Sequence, residues 1–162
     1  MLSLADIKVA LKKAVDECGL GADFRLKQAQ QNLLLHFLNG NDCLGVLPTN
    51  FGKSIIFQLA PVVAKFLYEC GHESFTHHPV VFVVTPINAL VDDQVQRCLE
   101  MGVIAEKLCA ENLDIIKHGK LQVIYASPEC LLSEKYREIL LSVYLGRVLG
   151  IVVDEAHLVV KW

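Results

Sequence analysis

The sequence has few aromatic residues, no long apolar run and no excess of positive charge. Its strictly apolar stretches, such as residues 79–84, are far shorter than the roughly 18 residues that a membrane-spanning helix needs, so we expect no such helix. Asp6 and Lys8 stand where a secretory signal peptide requires an unbroken apolar core. These absences predict an intracellular protein.

The cysteines and histidines lack the spacing of a metal or redox site. The closest two of the six cysteines, Cys98 and Cys109, are eleven residues apart, and no CxxC pair occurs. We expect reduced cysteines that pack as small apolar side chains. His72, His77 and His78 cluster in a polar segment, but no cysteine or carboxylate pattern completes a coordination set there, which favours a solvated loop.

The charge balance and the composition limit the class of protein. Lys and Arg number 15 against 18 for Asp and Glu, so no global positive field would attract a polyanion, and any contact with nucleic acid must be local. Hydrophobic residues make up 53% of the chain and charged residues 20%, which excludes a disordered protein. The length of 162 residues predicts one domain.

Two hydrophobic periods alternate along the chain, and together they predict an α/β fold. Apolar residues recur at helical spacing over residues 4–18, 27–38, 53–70, 90–99 and 133–145. Short runs rich in β-branched residues predict strands at residues 42–47, 80–84, 121–126 and 148–153. Helical crossovers between strands imply a mostly parallel sheet with helices on both faces, whose ligands bind at the carboxyl ends of the strands.

Gly52-Lys53-Ser54 lies between a predicted strand and a predicted helix, as the end of a phosphate-binding loop does. Glycine lets the backbone approach a phosphate, the helix N-terminus offers unpaired N–H groups, lysine adds a cation and the serine hydroxyl can bind Mg²⁺. A chance turn before a helix could contain the same three residues, and that alternative stays open on the tripeptide alone.

Asp154 and Glu155 come directly after a strand without polar side chains, residues 148–153. Two carboxylates at the end of a buried strand are costly to desolvate unless a cation or hydrogen bonds compensate them. Mg²⁺ and an attacking water are one explanation, and a solvated acidic turn is the other. Both motifs at the strand ends of one sheet favour the first.

The sequence at this point resembles a known family. Asp154-Glu155-Ala156-His157 is a DEAH box, and residues 48–54 resemble motif I of superfamily 2 helicases, with the RecQ family of ATP-dependent DNA helicases as the nearest likeness. Further segments support it: Phe24-Arg25-Leu26-Lys27-Gln28 (an FRxxQ motif), Val84-Thr85-Pro86-Ile87 with Asp93-Gln94-Val95 (motif Ia and its helix), Tyr125-Ala126-Ser127-Pro128-Glu129, and Trp162.

The resemblance implies an ATP and Mg²⁺ site. Lys53 would hold the β- and γ-phosphates, with backbone N–H groups around Gly52 completing the cradle. Ser54 and Asp154 would position Mg²⁺, while Glu155 would orient and deprotonate the hydrolytic water.

The resemblance also assigns residues around the nucleotide. Gln28 would read the adenine edge and Arg25 would lie against the base. Thr49 and Asn50 would belong to the phosphate loop, and His157 would couple the nucleotide state to the nucleic-acid groove.

A nucleic-acid groove is implied as well. Thr85, Pro86, Ser127 and Pro128 would line it and contact backbone phosphates of single-stranded or partly duplex DNA, with little sequence preference. No membrane partner is expected, and a nuclear location follows by resemblance if the host is eukaryotic.

In this interpretation residues 1–22 form an N-terminal helix region, and residues 23–162 form a partial helicase ATP-binding domain. That domain would be the first RecA-like P-loop NTPase domain, incomplete at its C-terminus. A missing second RecA-like domain would supply arginine fingers, so we expect the chain alone to hydrolyse ATP very slowly.

The chain departs from the family pattern at three places. Asn50-Phe51 stands where the family usually has glycines, Gly21 replaces an aromatic residue that commonly stacks on adenine, and Cys130 stands where an arginine is usual. Two alternatives therefore remain: a degenerate, non-catalytic nucleotide-binding or interaction module, and another superfamily 2 member such as an RNA helicase.

Overall fold

The computed structural model describes residues 1–48, 50–85 and 88–155. Along the chain its elements are α1 Leu4–Glu17, α2 Gln28–Leu38, α3 Ser54–Glu69, β1 Val80–Val84, α4 Asn88–Glu100, β2 Ala105–Lys107, α5 Leu113–Lys117, β3 Val123–Ala126, α6 Pro128–Leu132, α7 Glu134–Tyr144 and β4 Val148–Val153.

Within the described residues, a four-stranded sheet in the order β2-β3-β1-β4 forms the centre of the protein. All the strand pairs are parallel, with Phe82 of β1 level with Ile124 of β3 and with Ile151 of β4. The sheet confirms the predicted α/β class with a parallel sheet. Because all strands point the same way, their carboxyl ends meet at one edge of the sheet.

The two faces of the sheet bury separate apolar cores, as the alternation of side chains along a strand requires. Val81 and Val83 of β1 face a core built with α1, α2, α3 and α4. Val80 and Phe82 face a second core with α5 and α7, in which the buried Tyr144 hydroxyl donates to the Ile116 carbonyl at 2.7 Å. Helices therefore cover both faces, as predicted.

The N-terminal helices pack into the first core. A capping box starts α1, because the Ser3 hydroxyl accepts from the Asp6 N–H and the Asp6 carboxylate accepts from the Ser3 N–H. The helix then buries Ile7, Ala10 and neighbouring apolar residues in the core that also contains α3.

Helix α2 packs against β4 through one aromatic ring. A Cβ added to Gly150 would lie 2.6 Å from the Phe37 ring, closer than side chains approach, so a larger residue at this strand position would displace the ring. The contact holds α2 beside the sheet, with its N-terminus near the loop that precedes α3.

The prediction of a strand over residues 42–47 is wrong. The structure has no strand between residues 41 and 48, and Leu44 and Val46 are 79% and 85% exposed. Instead, Gly45 lies against Leu33 of α2, where an added Cβ would come within 2.8 Å of the leucine side chain. The alternation of apolar residues is right for a strand, but a strand also needs a backbone partner, and no strand of the described sheet pairs with this segment.

The other predicted elements are confirmed. The strands at residues 80–84 and 148–153 have the predicted bounds, the strand predicted at 121–126 begins two residues later, and the five predicted helices shift by one or two residues at their ends. The short elements β2, α5 and α6 escaped prediction, because three to five residues are too few to establish a period. None of the helices in the described ranges is long and apolar enough to cross a bilayer.

Candidate functional site

A cleft of about 240 Å³ lies at the carboxyl edge of the sheet. Two backbone hydrogen bonds build this edge: the Thr85 N–H donates to the Ala126 carbonyl at 3.0 Å, and the Asp154 N–H donates to the Val84 carbonyl at 2.9 Å. The cleft is lined by Asn50, Phe51, Gly52, Lys53, Ser54, Thr85, Leu90, Val91, Gln94, Arg97, Tyr125, Asp154 and Glu155. The predicted phosphate loop and the predicted acidic pair therefore share one cleft.

Lys53 and Ser54 lie at the start of α3, and both line the cleft, so the N-terminus of this helix borders it. Both side chains are half-buried, and the first turn of the helix contains no acidic residue. A helix N-terminus carries unpaired N–H groups and about half a positive charge. With the lysine ammonium beside it, this corner of the cleft favours an anion such as a phosphate.

Gln30 of α2 holds the segment that precedes Lys53. Its side-chain amide donates to the Phe51 and Gly52 carbonyls, each at 3.0 Å, and its carbonyl oxygen accepts from the Lys27 N–H at 2.7 Å. Gln30 is only 4% exposed. A buried polar side chain with all these bonds satisfied fixes the loop to the helix.

The loop takes backbone conformations that glycine adopts at least cost. Gly52 has φ 81°, and Asn50 has φ 62° in the left-handed region. Asparagine is among the non-glycine residues that tolerate this region best, which explains how Asn50 can occupy a position where glycine is usual in the family. The Phe51 ring lies under the Lys27 ammonium, 4.0 Å from the ring centroid, and so turns toward α2.

Asp154 is held in a position that favours a bound cation. Burial raises the pKa of its carboxyl above the ordinary value and the nearby Glu155 charge adds to the rise, while the hydrogen bond from the Glu155 N–H and the Lys53 charge lower it. The net rise means that the carboxylate lacks full compensation for its lost hydration. A divalent cation would supply that compensation, and carboxylate and hydroxyl oxygens are the ligands that Mg²⁺ prefers, so Asp154 and Ser54 fit such an ion.

Glu155 has φ 53°, in the left-handed region, and its N–H donates to Asp154 Oδ1 at 3.0 Å. For a glutamate this conformation costs about 1–2 kcal/mol. Backbone held in such regions concentrates at active sites, where the surrounding structure enforces it. Here the strain turns the chain at the mouth of the cleft immediately after β4.

A chain of polar side chains runs from the cleft into the first core. Gln94 Nε2 of α4 donates to the Ser54 hydroxyl at 3.0 Å, and Gln94 Oε1 accepts from Gln58 Nε2 at 2.8 Å. Gln58 Nε2 also donates to the Tyr125 hydroxyl at 3.2 Å, which lies 3.6 Å from the Cys98 sulfur. Burial, as the largest cause, raises the pKa of Tyr125, and burial raises that of Cys98 to about 11, so both stay protonated at neutral pH.

Other predicted site residues lie outside the cleft lining. Arg25 is exposed and donates to the Ala22 and Phe24 carbonyls, each at 2.6 Å, and Gln28 is exposed and donates to Asn32 at 2.9 Å. Neither side chain lines the cleft, and their contact with the nucleotide base stays a prediction.

Of the residues predicted for a nucleic-acid groove, Thr85 lines the cleft and is 8% exposed. Ser127 is half-buried, and its hydroxyl accepts from the Cys130 N–H at 3.2 Å as the N-cap of α6, where Pro128 is the first residue. The predicted positions at Thr49, Pro86, His157 and Trp162 lie outside the described residues.

Sequence reasoning missed the contacts of Gln30 and Gln58 and the positions of Arg97 and Tyr125 beside the cleft. A signal existed for Gln58 alone, because it is the one polar residue within an apolar helical run, residues 55–64. The contacts of Gln30 and Gln94 depend on which helices become neighbours, and no local pattern encodes that.

A second concavity of about 400 Å³ lies at the opposite end of β4, beside Val148 and Leu149. Its walls also include Phe37, Phe75 and His72, and they hold no acidic side chain. It therefore lacks the carboxylate ligands that the cleft at the carboxyl edge offers to a cation.

Comparison with known proteins identifies the family of the chain. Residues 27–162 match the family described as DEAD/DEAH box helicase. The chain is 35% identical over 129 residues to the ATP-dependent DNA helicase RecQ of Synechocystis sp., which covers 75% of this chain and 24% of that protein. It is 30% identical over 135 residues to the ATP-dependent helicase SGS1 of Saccharomyces cerevisiae, which covers 77% of this chain and 9% of that protein.

A third relative is the probable ATP-dependent DNA helicase RecS of Bacillus subtilis, 30% identical over 146 residues, with 84% of this chain and 26% of that protein covered. The chain thus spans about a quarter or less of the length of these relatives. Because the family match covers most of the chain and includes both the loop before α3 and the acidic pair after β4, the chain belongs to the DEAD/DEAH box helicase family.

Proposed function

We propose that this chain is the ATP-binding motor half of a RecQ-like DNA helicase, in which ATP hydrolysis drives DNA unwinding in the complete protein. The observation that carries the proposal is the shared cleft, with Lys53 and Ser54 at the start of α3 and Asp154 and Glu155 after β4. The names of the relatives, which describe ATP-dependent helicases, support the same conclusion. The motor half would be residues 23–162, with residues 1–22 as an N-terminal helix region packed on it.

In this proposal the chain binds the triphosphate at the N-terminus of α3. Lys53 neutralises the β- and γ-phosphates, and N–H groups around Gly52 and Ser54 donate to their oxygens. Asn50 and Thr49 shape the loop. Gln28 and Arg25 would approach the base from the start of α2.

Ser54 and Asp154 would hold Mg²⁺, which supplies neutralisation of the charge that develops on the transferred phosphoryl group. Asp154 offers a carboxylate whose raised pKa reflects incomplete compensation in the free protein. Glu155 would accept a proton from the attacking water, because its backbone turn places it at the mouth of the same cleft.

The proposed DNA contacts come from the residues that follow β1 and β3. Thr85 follows β1, and Ser127 and Pro128 follow β3, at the same edge of the sheet as the cleft. Pro86 would contribute beside Thr85. Contacts from such residues to backbone phosphates would bind single-stranded or partly duplex DNA without sequence preference. His157 would couple the two sites, and a second RecA-like domain would close over the nucleotide. If the host is eukaryotic, the protein would be located in the nucleus.

The test is a titration of the 162-residue chain with a fluorescent ATP analogue, with and without Mg²⁺. We expect saturable binding that Mg²⁺ strengthens, and loss of that binding in Lys53→Ala. Lys12→Ala is the matched control, because Lys12 is an exposed lysine on α1, away from the cleft. Asp154→Ala should remove the effect of Mg²⁺ while retaining part of the metal-free binding.

Absence of nucleotide binding by the unaltered chain would reject this proposal and favour a non-catalytic interaction module. The RNA-helicase alternative is separated by ATPase assays of a chain joined to its second domain, with single-stranded DNA or RNA as the stimulating strand. Stimulation by RNA alone would overturn the DNA assignment.

A further inference from the structure

We infer that Gln94 is a positioning residue that orients the Ser54 hydroxyl toward the divalent cation of the bound nucleotide, and that Gln58 fixes Gln94 in that role. The inference rests on the proposed function, because it concerns how the metal of that site is received. Gln94 lies in the segment that resembles the helix after motif Ia, but no role is assigned to it there, and Gln58 lies outside the quoted motifs.

The hydrogen bonds have a definite direction. Gln58 Nε2 donates both of its hydrogens, one to Gln94 Oε1 at 2.8 Å and one to the Tyr125 hydroxyl at 3.2 Å. Because Gln94 therefore presents its carbonyl oxygen to Gln58, its NH₂ group faces the Ser54 hydroxyl, 3.0 Å away. The orientation of the Gln94 amide is thus set from the core side, before any ligand enters.

The burial of Gln58 makes this arrangement hard to reverse. Gln58 is 3% exposed and Tyr125 is 1% exposed. A buried amide that lost its partners would remain unsatisfied, so the pair stays bonded. The Phe57 ring packs edge-on against Tyr125, with ring centroids 6.5 Å apart, and so helps to hold the phenol beside Gln58.

The consequence for Ser54 follows from the capacity of a hydroxyl, which has one hydrogen to donate and two lone pairs to accept with. Gln94 occupies one lone pair. The second lone pair remains for a cation, and the hydroxyl hydrogen remains for an acceptor such as a phosphate oxygen or a carboxylate. Without Gln94, a serine in the first turn of a helix is free to rotate and to bond with nearby backbone groups instead.

The experiment compares two dissociation constants on each protein, one for a fluorescent ATP analogue with Mg²⁺ and one for the same analogue with EDTA. For Gln94→Leu we expect binding with Mg²⁺ to weaken roughly three- to tenfold, the equivalent of one lost hydrogen bond, while the metal-free constant changes by less than about twofold. A partial loss of folded protein lowers both apparent affinities alike, so the ratio of the two constants reports how much Mg²⁺ strengthens binding of the analogue.

Gln96→Leu is the matched control, since Gln96 lies on the same helix, is exposed, and its side-chain amide donates to Glu100 at 3.1 Å. It should leave both constants unchanged. Gln58→Leu should also weaken binding of the analogue with Mg²⁺, but by a smaller factor than Gln94→Leu. The double variant should bind the analogue with Mg²⁺ no more weakly than Gln94→Leu alone, because both changes act through one hydrogen bond.

Two results would overturn the inference while the proposed function stands. One is an unchanged ratio of the two constants in Gln94→Leu. The other is an equal loss with and without Mg²⁺, which would mean that Gln94 only supports the packing of α4. If the unaltered chain binds the analogue equally well with and without Mg²⁺, the inference falls together with the metal site of the proposed function.

Discussion

Replacing Gln30 by leucine should release the loop that carries Lys53 from helix α2. The substitution removes three hydrogen bonds at once: those from the side-chain amide to the Phe51 and Gly52 carbonyls, and that from the Lys27 N–H to the side-chain carbonyl. Leucine keeps most of the buried volume, so the change probes the polar contacts more than the packing.

The magnitude depends on which of the released groups can find water. A typical internal hydrogen bond contributes about 1 kcal/mol net, and an unsatisfied buried group costs more. Gly52 is exposed and Phe51 is half-buried, so their carbonyls recover water in part. We therefore expect the free energy of unfolding to fall by about 1–3 kcal/mol, less than the sum of three fully buried bonds.

The assay is urea unfolding followed by far-ultraviolet circular dichroism, together with titration of a fluorescent ATP analogue. We expect roughly tenfold weaker nucleotide binding, because the loop must be ordered again when the phosphates bind. Gln31→Leu is the control: Gln31 is the next residue of α2, and its side-chain amide donates to the Leu26 carbonyl at 2.7 Å, so its loss should reduce stability without changing nucleotide affinity.

Equal effects of the Gln30 and Gln31 substitutions on nucleotide affinity would refute this reasoning. So would a Gln30→Leu protein with the stability of the unaltered chain, since the three bonds would then contribute nothing measurable.

Three further predictions follow from single positions. Asp154→Asn should raise the melting temperature of the nucleotide-free chain at about pH 7, because the raised pKa of Asp154 means that folding disfavours its carboxylate. The gain should vanish below the ordinary pKa of aspartate, where Asp154 is neutral in both the folded and the unfolded chain. Melting curves across pH that lack this trend would contradict the prediction. Asn50→Gly should retain stability, whereas Asn50→Val should lose about 1–2 kcal/mol in urea unfolding, because φ at this position is 62°; equal midpoints would show that the loop relaxes. Ile151 is 59% exposed on β4, an edge strand of the described sheet, so Ile151→Lys should reduce aggregation through this strand and lower light scattering by concentrated samples. Val152 lies on the face packed against the first core, so Val152→Lys should unfold the protein. Scattering that Ile151→Lys leaves unchanged would argue against aggregation through β4.

Much of the fold could be predicted from the sequence because its elements carry their own signals. The run of β-branched apolar residues at 80–84 predicts a strand that is covered on both faces, and the structure buries all five residues. The apolar periodicity from residue 4 identified the start of α1 to the residue. The family resemblance identified Lys53, Ser54, Asp154 and Glu155, and the structure brings these residues into one cleft.

The segment at residues 42–47 shows where local pattern fails. Its alternation of apolar residues is that of a strand, yet the described sheet ends at β4 and offers the segment no partner. Hydrogen bonding between strands is a property of two segments, so no pattern within one of them decides it.

The sequence by itself determined the helices, the buried strands and the identity of the chemical groups, because those depend on the spacing and type of nearby residues. Only the tertiary structure decided which polar side chains serve the site. Gln30 reaches a loop more than twenty residues away, and Gln94 reaches Ser54 across forty. Such contacts arise when separate helices pack on one sheet face, and packing joins residues by distance in space rather than by distance along the chain.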